Sequence, residues 1–254
     1  MSTAMPSRRV ALVTGAARGI GLAASRALLA RGHHVLMADR IAVDLEVIDI
    51  GYRSSVTPFA FDVCDLAAVK SMLSQAKETV GTVDILINNA GISLKQPSGR
   101  SSGILETTPD EWEQTFAVNV TAVMRLCQLA LPDMRDKGWG RIVNLTSVAG
   151  RTSSRVAGPA YMATKAAVIG LTRSIASEMG RHGVTANCVA PGRILTEMAL
   201  QAGEQVNAEY AAVIPVGRLG SAEEVGASIA YLCSEEAGFV NGAIIDINGG
   251  FFMP

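Results

Sequence analysis

The stretch from Val10 to Arg31 reads VALVTGAARGIGLAASRALLAR. It opens with a four-residue apolar run that is too short for a helix, and it ends with alanine and leucine at helical spacing. Between these parts lies a turn that contains Gly15, Gly19 and Gly21. Glycine lets a bulky anion approach the backbone, and the first turn of a helix offers it unpaired N–H groups. This strand, turn and helix therefore predict a binding site for the pyrophosphate of a dinucleotide.

A carboxylate closes the next apolar run. Val35 to Ala38 predicts a second strand, and Asp39 follows it directly. A carboxylate at this position can accept hydrogen bonds from both hydroxyls of an adenosine ribose and repels a 2′-phosphate, which favours NAD over NADP. Arg18 in the glycine turn and Arg40 beside Asp39 argue for NADP, because a guanidinium pairs with a 2′-phosphate in a bidentate fork. We expect NAD, with NADP as the less favoured cofactor.

The composition is typical of one large α/β domain over residues 1–254, because 49% of the 254 residues are hydrophobic. The net charge is −1 and the 22 basic residues are scattered, which argues against nucleic acid or an anionic membrane as a partner. The sequence contains neither a signal peptide nor an uncharged apolar run of ~18 residues. We therefore expect a cytoplasmic protein.

The cysteines do not predict a metal site. They lie far apart, without the paired spacing of zinc ligands or the density of a disulfide framework. We expect all four to be buried free thiols. They are Cys64, Cys127, Cys188 and Cys233.

Apolar strand candidates alternate with amphipathic helices along the whole chain. This alternation predicts a doubly wound parallel sheet with helices on both faces. After Asp39, the stretch from Ile41 to Ile50 is ambiguous and fits a short helix. The third strand is predicted from Val56 to Phe61.

Asp62 and Val63 follow the third strand at its carboxyl end, where a doubly wound sheet lines its ligand crevice. Asp62 is therefore a candidate contact for the adenine of the cofactor. The alternative is that Asp62 or Asp65 caps the helix predicted from Leu66 to Thr79.

The fourth strand, Val83 to Ile87, runs into Asn88-Asn89-Ala90-Gly91. Asparagines bond their own main chain, so this motif predicts a structural turn. The small Ala90 and Gly91 also allow a cofactor to lie against the backbone, and both interpretations are compatible.

The helix after the next loop starts at a capping box, Thr108 to Glu111, with a proline at its first position. We expect it to bend or end near Pro132, and Asn119 lies beside its apolar face. That face is predicted to contain Trp112, Phe116, Val120 and Val123.

Hydroxyls follow the fifth strand, Ile142 to Leu145, at the same edge of the sheet. They belong to Thr146 and Ser147. A hydroxyl at a strand end often only forms hydrogen bonds with backbone groups. The position at this edge of the sheet, where the ligand crevice is expected, favours the interpretation that Ser147 faces the substrate.

Tyr161 and Lys165 share one face of a helix predicted to begin near Ala160, because they are four residues apart. Reduction of a carbonyl by hydride transfer needs an acid, and the reverse reaction needs a base. An ammonium ~5 Å away lowers a phenol's pKa by roughly two units at an effective dielectric of ~20. The pair predicts an acid/base site, and the alternative is an ordinary exposed i, i+4 pair.

Together these motifs resemble the short-chain dehydrogenase/reductase family, over nearly all of the chain. The resemblance implies one Rossmann-type domain with a seven-stranded parallel sheet, whose last strand lies in Gly242 to Gly250. The gap from Ser147 to Tyr161 is one residue longer than the family's commonest spacing, so the loop between them must bulge. The motifs, in the family's order, are Thr14 to Gly21, Asn88 to Gly91, Asn119, Ser147, Tyr161 with Lys165, Pro191 with Gly192, and Thr196.

The resemblance also implies roles for individual residues. Tyr161 would be the acid/base, Ser147 would hold the substrate oxygen, Lys165 would bind the nicotinamide ribose, and Asn119 would support a water in a proton relay. The implied cofactor contacts are Gly15, Arg18, Gly19, Ile20, Gly21, Asp39, Asp62, Val63, Asn89, Ala90, Gly91, Tyr161, Lys165, Pro191, Gly192, Ile194 and Thr196.

Two segments are predicted to cover the site, near 92–108 and 193–219. The first is longer than an ordinary connection between a strand and a helix, which is typical of a lid. The second occupies the place where the family keeps its substrate-covering helices. Family members are commonly tetramers, and the apolar residues Phe251 to Pro254 suit a homotetramer.

The residues and the resemblance together predict an NAD-dependent enzyme that transfers a hydride between the cofactor and a secondary alcohol or ketone. Two alternatives stay open: an NADPH-dependent 3-oxoacyl thioester reductase, and a non-catalytic NAD(P)-binding regulatory protein. A further hypothesis is that the small-molecule substrate is anionic, against the alternative of solvated loop charges. It is based on the loop cations Lys95, Arg100, Arg151 and Arg155.

Overall fold

The structure is a computed structural model that describes residues 8–200 and 203–254. We interpreted the amino-terminal segment as lacking a signal peptide. Most of this segment, residues 1–7, lies outside the described residues. Residues 201 and 202 of the second lid also lie outside them.

The described residues form a seven-stranded sheet in which every pairing is parallel. The strands are β1 (Val10–Thr14), β2 (His34–Asp39), β3 (Val56–Ala60), β4 (Ile85–Asn88), β5 (Gly140–Leu145), β6 (Val184–Pro191) and β7 (Ile244–Ile247). Their order is β3, β2, β1, β4, β5, β6, β7. The order reverses between β1 and β4, and a doubly wound sheet opens its ligand crevice at that point. The predicted fold is confirmed.

Helices cover both faces of the sheet. They are α1 (Gly19–Ala30), α2 (Leu66–Thr79), α3 (Pro109–Phe116), α4 (Ala122–Lys137), α5 (Pro159–Met179), α6 (Glu197–Leu200), α7 (Glu204–Val213) and α8 (Ala222–Leu232). One face carries α1 and α8, whose Leu28 and Ile229 lie in the same buried cluster. The other carries α2, α4 and α5, which share a second cluster. Because β1 and β4 are buried between these layers, their sequences are almost continuously apolar, whereas β6, which is buried as well, also contains Thr185 and Asn187.

The ambiguous stretch from Ile41 to Ile50 contains a short helix of the 3₁₀ type, Leu45–Val47, and a second one, Ile50–Ser55, begins at its end. The carboxylates of Asp44 and Asp49 each accept a hydrogen bond from the amide two residues later, at 2.8 Å and 2.9 Å. Such local bonds favour separate turns over a continuous helix.

A π-helical turn, Ala117–Thr121, joins α3 to α4. It accommodates an extra residue and changes the face that later side chains present. Trp112 stacks on Phe116 at 4.7 Å between ring centroids, whereas Val120 and Val123 contribute to two different core clusters. Trp112 is 40% exposed, and the shared apolar face of the four residues stays a prediction.

The same helical segment does not end near Pro132. It continues to Lys137, where Gly138 terminates it with a φ of 68°. The whole of Pro109–Lys137 is long and apolar enough to cross a membrane, by length and composition only. In the fold, Leu126 and Met134 of this segment are buried against the sheet, so these apolar residues are part of the hydrophobic core.

The cysteines are free thiols, as predicted, but they are not all buried. Cys127, Cys188 and Cys233 lie in the core. Cys64 is only partly buried, because it follows the edge strand β3.

Candidate active site

The glycine turn between β1 and α1 leaves room for an anion. Gly15 has a φ of 65°, and a Cβ on Gly21 would lie 2.0 Å from the carbonyl oxygen of Gly15. Arg18 is the N-cap of α1 but makes no side-chain capping bond, and the first turn of this helix, Gly19 to Leu22, has no acidic residue. The N–H groups of this turn, which includes Ile20, therefore remain available to a phosphate. These features fit the pyrophosphate of a dinucleotide.

Asp39 lies at the carboxyl end of β2 and is held by the glycine turn. Its Oδ2 accepts a hydrogen bond from the amide of Ala17 at 3.0 Å, and its Oδ1 accepts one from the amide of Ile41 at 3.2 Å. Each carboxylate oxygen keeps a lone pair for a ribose hydroxyl. Arg40 is exposed beside it.

Arg18 forms an ion pair with Glu197 of α6, and both side chains are exposed. Beside them, the methyl carbon of Thr196 lies 3.5 Å from the position that a Cβ on Gly19 would take. The second lid therefore reaches across the glycine turn. Sequence reasoning missed Glu197 because 179 positions separate it from Arg18, and no local pattern links the two.

The Asn88 to Gly91 turn joins the glycine turn through Thr14. The hydroxyl of Thr14 accepts hydrogen bonds from the amides of Asn89 and Ala90, both at 3.1 Å. The side-chain amide of Asn89 donates to the carbonyls of Thr14 and Gly15 at 2.9 Å and 3.0 Å. This supports the structural interpretation of the motif, and it places Ala90 and Gly91 at the crevice between β1 and β4.

The helix α2 is capped by Asp65, whose carboxylate accepts hydrogen bonds from the amides of Ala67 and Ala68 at 3.0 Å. Asp62 instead accepts one from the amide of Cys64 at 2.8 Å and is exposed. Val63 packs against the core. Since Asp62 is not the cap, it stays a candidate contact for the adenine.

Asn119 lies within the π turn and is buried, with 1% of its surface exposed. Its Oδ1 accepts a hydrogen bond from the amide of Ile92 at 2.8 Å. Its Nδ2 donates to the carbonyl of Ile92 at 2.9 Å and to the hydroxyl of Thr164 at 3.1 Å. A Cβ on Gly91 would lie 3.2 Å from Asn119 Oδ1 and 3.4 Å from Lys165 Nζ. Asn119 and Lys165 therefore meet at Gly91.

The two hydroxyls after β5 have different surroundings. Thr146 is buried, and its hydroxyl donates to the carbonyl of Lys165 at 2.6 Å. Ser147 is partly exposed, and its Oγ accepts a hydrogen bond from the amide of Ala149 at 3.1 Å. The Ser147 hydroxyl also acts on the Tyr161 phenol, whose pKa it lowers. Thr146 therefore supports the fold, and Ser147 is the hydroxyl at the candidate site.

Tyr161 and Lys165 share one face of α5, as predicted. The Nζ of Lys165 lies 5.5 Å from the centre of the Tyr161 ring and donates to the carbonyl of Leu145 at 2.7 Å. Burial lowers the pKa of Lys165 to about 8, while Cys188 acts in the opposite direction.

The expected fall in the pKa of Tyr161 is not found in this structure. Burial raises the pKa of Tyr161, and the hydrogen bond with Ser147 acts against that rise. The physical reason is that burial removes the phenolate from water, which disfavours its charged form. A further positive charge beside the phenol would lower its pKa.

The segment after Ser147 packs directly on α5. A Cβ on Gly150 would lie 2.6 Å from the carbonyl carbon of Lys165, so this approach requires a glycine. The next residue, Arg151, forms an ion pair with Asp246 of β7, and both side chains are mostly buried. The segment that follows Ser147 is thus held between α5 and the last strand.

Pro191 ends β6, and the remaining predicted cofactor contacts follow it. The amide of Gly192 donates to the carbonyl of Ile247 at 2.9 Å. Ile194 is buried and forms an isolated bridge with Gly220. Ile194 and Thr196 therefore begin the second lid at the carboxyl edge of the sheet.

The four loop cations of the anionic-substrate hypothesis divide into two groups. Arg100 forms a bidentate pair with Glu106 at 2.7 Å and 2.6 Å, and Arg151 pairs with Asp246. These two are neutralised within the protein and do not support the hypothesis. Arg155 is exposed. Lys95 has neutral partners, the hydroxyl of Ser101 and the carbonyl of Val156.

The fold and this arrangement define a class: a dinucleotide-binding oxidoreductase with a serine, a tyrosine and a lysine at the crevice. A family model described as enoyl-(acyl carrier protein) reductase matches residues 15–252. The chain belongs to the short-chain dehydrogenase/reductase family, and it is an oxidoreductase that binds a nicotinamide dinucleotide.

Similar proteins cover almost the whole chain. The 3-oxoacyl-[acyl-carrier-protein] reductase of Salmonella typhimurium is 36% identical over 246 residues, which are 96% of this chain and 98% of that protein. The acetoacetyl-CoA reductase of Rhizobium meliloti is 38% identical over 246 residues, 96% and 99% of the two chains. The crystal structure of a 3-oxoacyl-[acyl-carrier protein] reductase with bound NAD from Brucella melitensis has a TM-score of 0.88 and 35% identity, and covers 98% of this chain and 94% of that one.

Proposed function

We propose that this protein reduces the ketone of a 3-oxoacyl compound. The observation that carries the proposal is the convergence of Ser147, Tyr161 and Lys165 at the carboxyl ends of β4 and β5. The names of the relatives favour a 3-oxoacyl thioester, which was the second interpretation of the sequence, over an unspecified secondary alcohol.

Each residue has one task in the proposed reaction. The bound nicotinamide supplies the hydride. Ser147 donates a hydrogen bond to the ketone oxygen, and Tyr161 gives its proton to the oxygen as negative charge develops. The raised pKa of Tyr161 keeps the phenol protonated at neutral pH, which suits reduction. Lys165 binds the nicotinamide ribose, and Asn119 supports a water near Lys165.

We propose NAD as the preferred cofactor. The carboxylate of Asp39 is fixed by two backbone amides at the place where the adenosine ribose is expected. Arg18, which could otherwise bind a 2′-phosphate, is paired with Glu197. We also propose that the other cofactor contacts predicted from the sequence, between Gly15 and Thr196, bind this dinucleotide.

We further propose that the whole chain acts as one domain in the cytoplasm, with lids near 92–108 and 193–219, and assembles as a homotetramer. The exposed apolar side chains of Phe239 and Met253 support association, because water-exposed apolar surface favours burial between subunits. Light scattering after gel filtration tests the assembly.

One assay tests the proposed reaction. Oxidation of NADH and NADPH is followed with acetoacetyl-CoA and with methyl acetoacetate as substrates. We expect turnover by the wild type and not by Tyr161→Phe. If neither substrate, nor a panel of secondary alcohols with NAD or NADP, is turned over by the wild type, the proposal fails and a non-catalytic regulatory role becomes the better interpretation.

A further inference from the structure

Residues 248–254 follow β7 and form the carboxyl-terminal segment of the chain. Asn248 fixes the path of this segment. Its Nδ2 donates a hydrogen bond to the carbonyl of Phe252 at 2.9 Å, and its Oδ1 accepts one from the amide of Gly250 at 2.8 Å. The amide of Phe251 donates to the carbonyl of Asn248 at 3.1 Å. These bonds close a compact turn that holds Phe251 and Phe252 in defined positions.

The carboxyl-terminal segment contacts the second lid. The ring of Phe251 lies 5.6 Å from the ring of Tyr210 in α7, measured between centroids. The amide of Val216 donates a hydrogen bond to the carbonyl of Gly249 at 3.2 Å. A Cβ on Gly249 would lie 2.7 Å from Cγ2 of Ile214. The end of the second lid is therefore packed directly on this segment.

The same segment contacts Arg151. The guanidinium carbon of Arg151 lies over the ring of Phe252, 5.0 Å from its centre. A guanidinium at this distance is attracted to the face of an aromatic ring. Because Arg151 also forms the ion pair with Asp246, its side chain is held by Phe252 and Asp246 together.

Arg151 and Ser147 are the two ends of one 3₁₀ turn, Val148–Gly150. Ser147 is the N-cap of this turn and Arg151 is its C-cap. The amide of Gly150 donates a hydrogen bond to the carbonyl of Ser147 at 3.0 Å, and the amide of Arg151 donates to the carbonyl of Val148 at 2.9 Å. Because a single turn joins the two residues, a displacement of Arg151 changes the position of Ser147.

We infer that the carboxyl-terminal segment positions two parts of the active site. Phe252 positions Ser147 through Arg151, and Phe251 positions the second lid through Tyr210. The inference rests on the proposed reaction, in which Ser147 donates a hydrogen bond to the ketone oxygen. A donor that is misplaced stabilises the transition state less, so Phe252 acts on kcat. The second lid covers the substrate, so Phe251 acts on KM.

Phe252→Leu tests the contact with Arg151, because it keeps an apolar side chain and removes the aromatic ring. With acetoacetyl-CoA and saturating NADH, we expect kcat to fall about fivefold, which is within the range of a cation–π contact. The Kd for NADH should stay nearly unchanged in a fluorescence titration. Phe252→Tyr, which keeps the ring, should retain most of the wild-type kcat.

Phe251→Leu tests the contact with the second lid. It should raise the KM for acetoacetyl-CoA several-fold and leave kcat nearly unchanged. Met253→Leu is the matched control, because Met253 belongs to the same segment and is 77% exposed. It should change neither quantity. If Phe251→Leu and Phe252→Leu leave kcat and KM at their wild-type values, the inference is wrong while the proposed reaction stands.

A double-mutant cycle tests whether Phe252 acts through Ser147. In the Ser147→Ala background, Phe252→Leu should cause no further loss of kcat. An equal loss in both backgrounds would contradict the positioning role. Light scattering is measured for each variant, and a loss of kcat that is accompanied by a change in subunit number would also overturn the inference.

Hydrogen exchange separates this inference from the proposed reaction, because it does not depend on turnover. The amides of Gly150 and Arg151 should exchange faster in Phe252→Leu than in the wild type or in Met253→Leu. This pattern in a protein that reduces no ketone would overturn the proposed reaction and keep the link between Phe252 and the turn at Ser147. Unchanged exchange in Phe252→Leu would overturn the link.

Discussion

Arg18 and Glu197 form an ion pair that joins the glycine turn to α6 across the proposed cofactor cleft. The guanidinium of Arg18 is the group that we expect to bind a 2′-phosphate. Glu197 competes with such a phosphate for Arg18. Asp39, on the same side of the cleft, adds a fixed negative charge. Two carboxylates therefore oppose the extra phosphate of NADP.

The first prediction is that Glu197→Gln increases the use of NADP. The substitution keeps the shape of the side chain, but it removes the charge that holds Arg18. The ratio of kcat/KM for NAD to that for NADP should be at least tenfold in the wild type, which is about 1.4 kcal/mol. It should fall several-fold in Glu197→Gln, and Asp39→Ala should also narrow it.

Arg18→Met serves as the control for this prediction. It should decrease activity with NADP more than activity with NAD. A wild type that prefers NADP would show that Arg18 and Arg40 outweigh the two carboxylates.

The second prediction is that Ser147 contributes to catalysis, whereas Thr146 contributes to stability. Tyr161→Phe should lower kcat by 10² or more, which is the range that general acid–base catalysis supplies, while the Kd for NADH stays nearly unchanged. Ser147→Ala should also lower kcat strongly. Thr146→Val removes the hydrogen bond to the carbonyl of Lys165, so it should mainly lower the melting temperature.

Activity assays and NADH fluorescence titrations measure these effects. More than a tenth of the wild-type kcat in Tyr161→Phe would contradict the acid/base role. A larger loss of kcat in Thr146→Val than in Ser147→Ala would show that the wrong hydroxyl has been assigned.

The third prediction concerns Lys165 and pH. Its pKa is about 8 in the fold and 10.5 when unperturbed. Between these values the unfolded chain binds more protons than the folded chain, so the stability contributed by this group rises with pH and is constant below pH 8. The gain between pH 8 and 9.5 is about 2 kcal/mol, at roughly 1.36 kcal/mol per pKa unit.

Lys165→Met removes the titrating group at this one position and keeps all other titrating groups, so it provides the reference. Without cofactor, the melting temperature of the wild type should rise relative to that of Lys165→Met from pH 8 to 9.5. Parallel curves for the two proteins across this range would contradict the lowered pKa.

The fourth prediction is that Arg151 and Asp246 depend on each other. Loss of one partner leaves a mostly buried charge without compensation, which costs about 3–5 kcal/mol in comparable buried pairs. Arg151→Met and Asp246→Asn should each lower the free energy of unfolding and lower kcat, because the segment after Ser147 loosens. The double substitution should be less damaging than the sum of the single ones.

A double-mutant cycle in urea unfolding measures this coupling. Arg135→Met, which removes an exposed arginine paired with its neighbour Asp136, is the control and should change stability by less than about 1 kcal/mol. Additive effects at Arg151 and Asp246 would show that the pair does not act as a unit.

Patterns that are local in the chain allowed several features to be predicted. The strand, turn and helix of Val10 to Arg31 follow from apolar spacing and glycine placement, and both are properties of neighbouring residues. The shared face of Tyr161 and Lys165 follows from helix geometry. The π turn at Asn119 could not be predicted in this way, because the hydrogen-bond partners of Asn119, Ile92 and Thr164, lie 27 and 45 positions away.

The sequence by itself determined the doubly wound sheet and the candidate residues at its carboxyl edge. Strand alternation and residue type are sufficient for both. Only the tertiary structure decided which charges are neutralised, because the partners of Arg18 and Arg151 lie 179 and 95 positions away. It also decided the direction of the pKa of Tyr161, since burial arises from the packing of distant segments and raises that pKa.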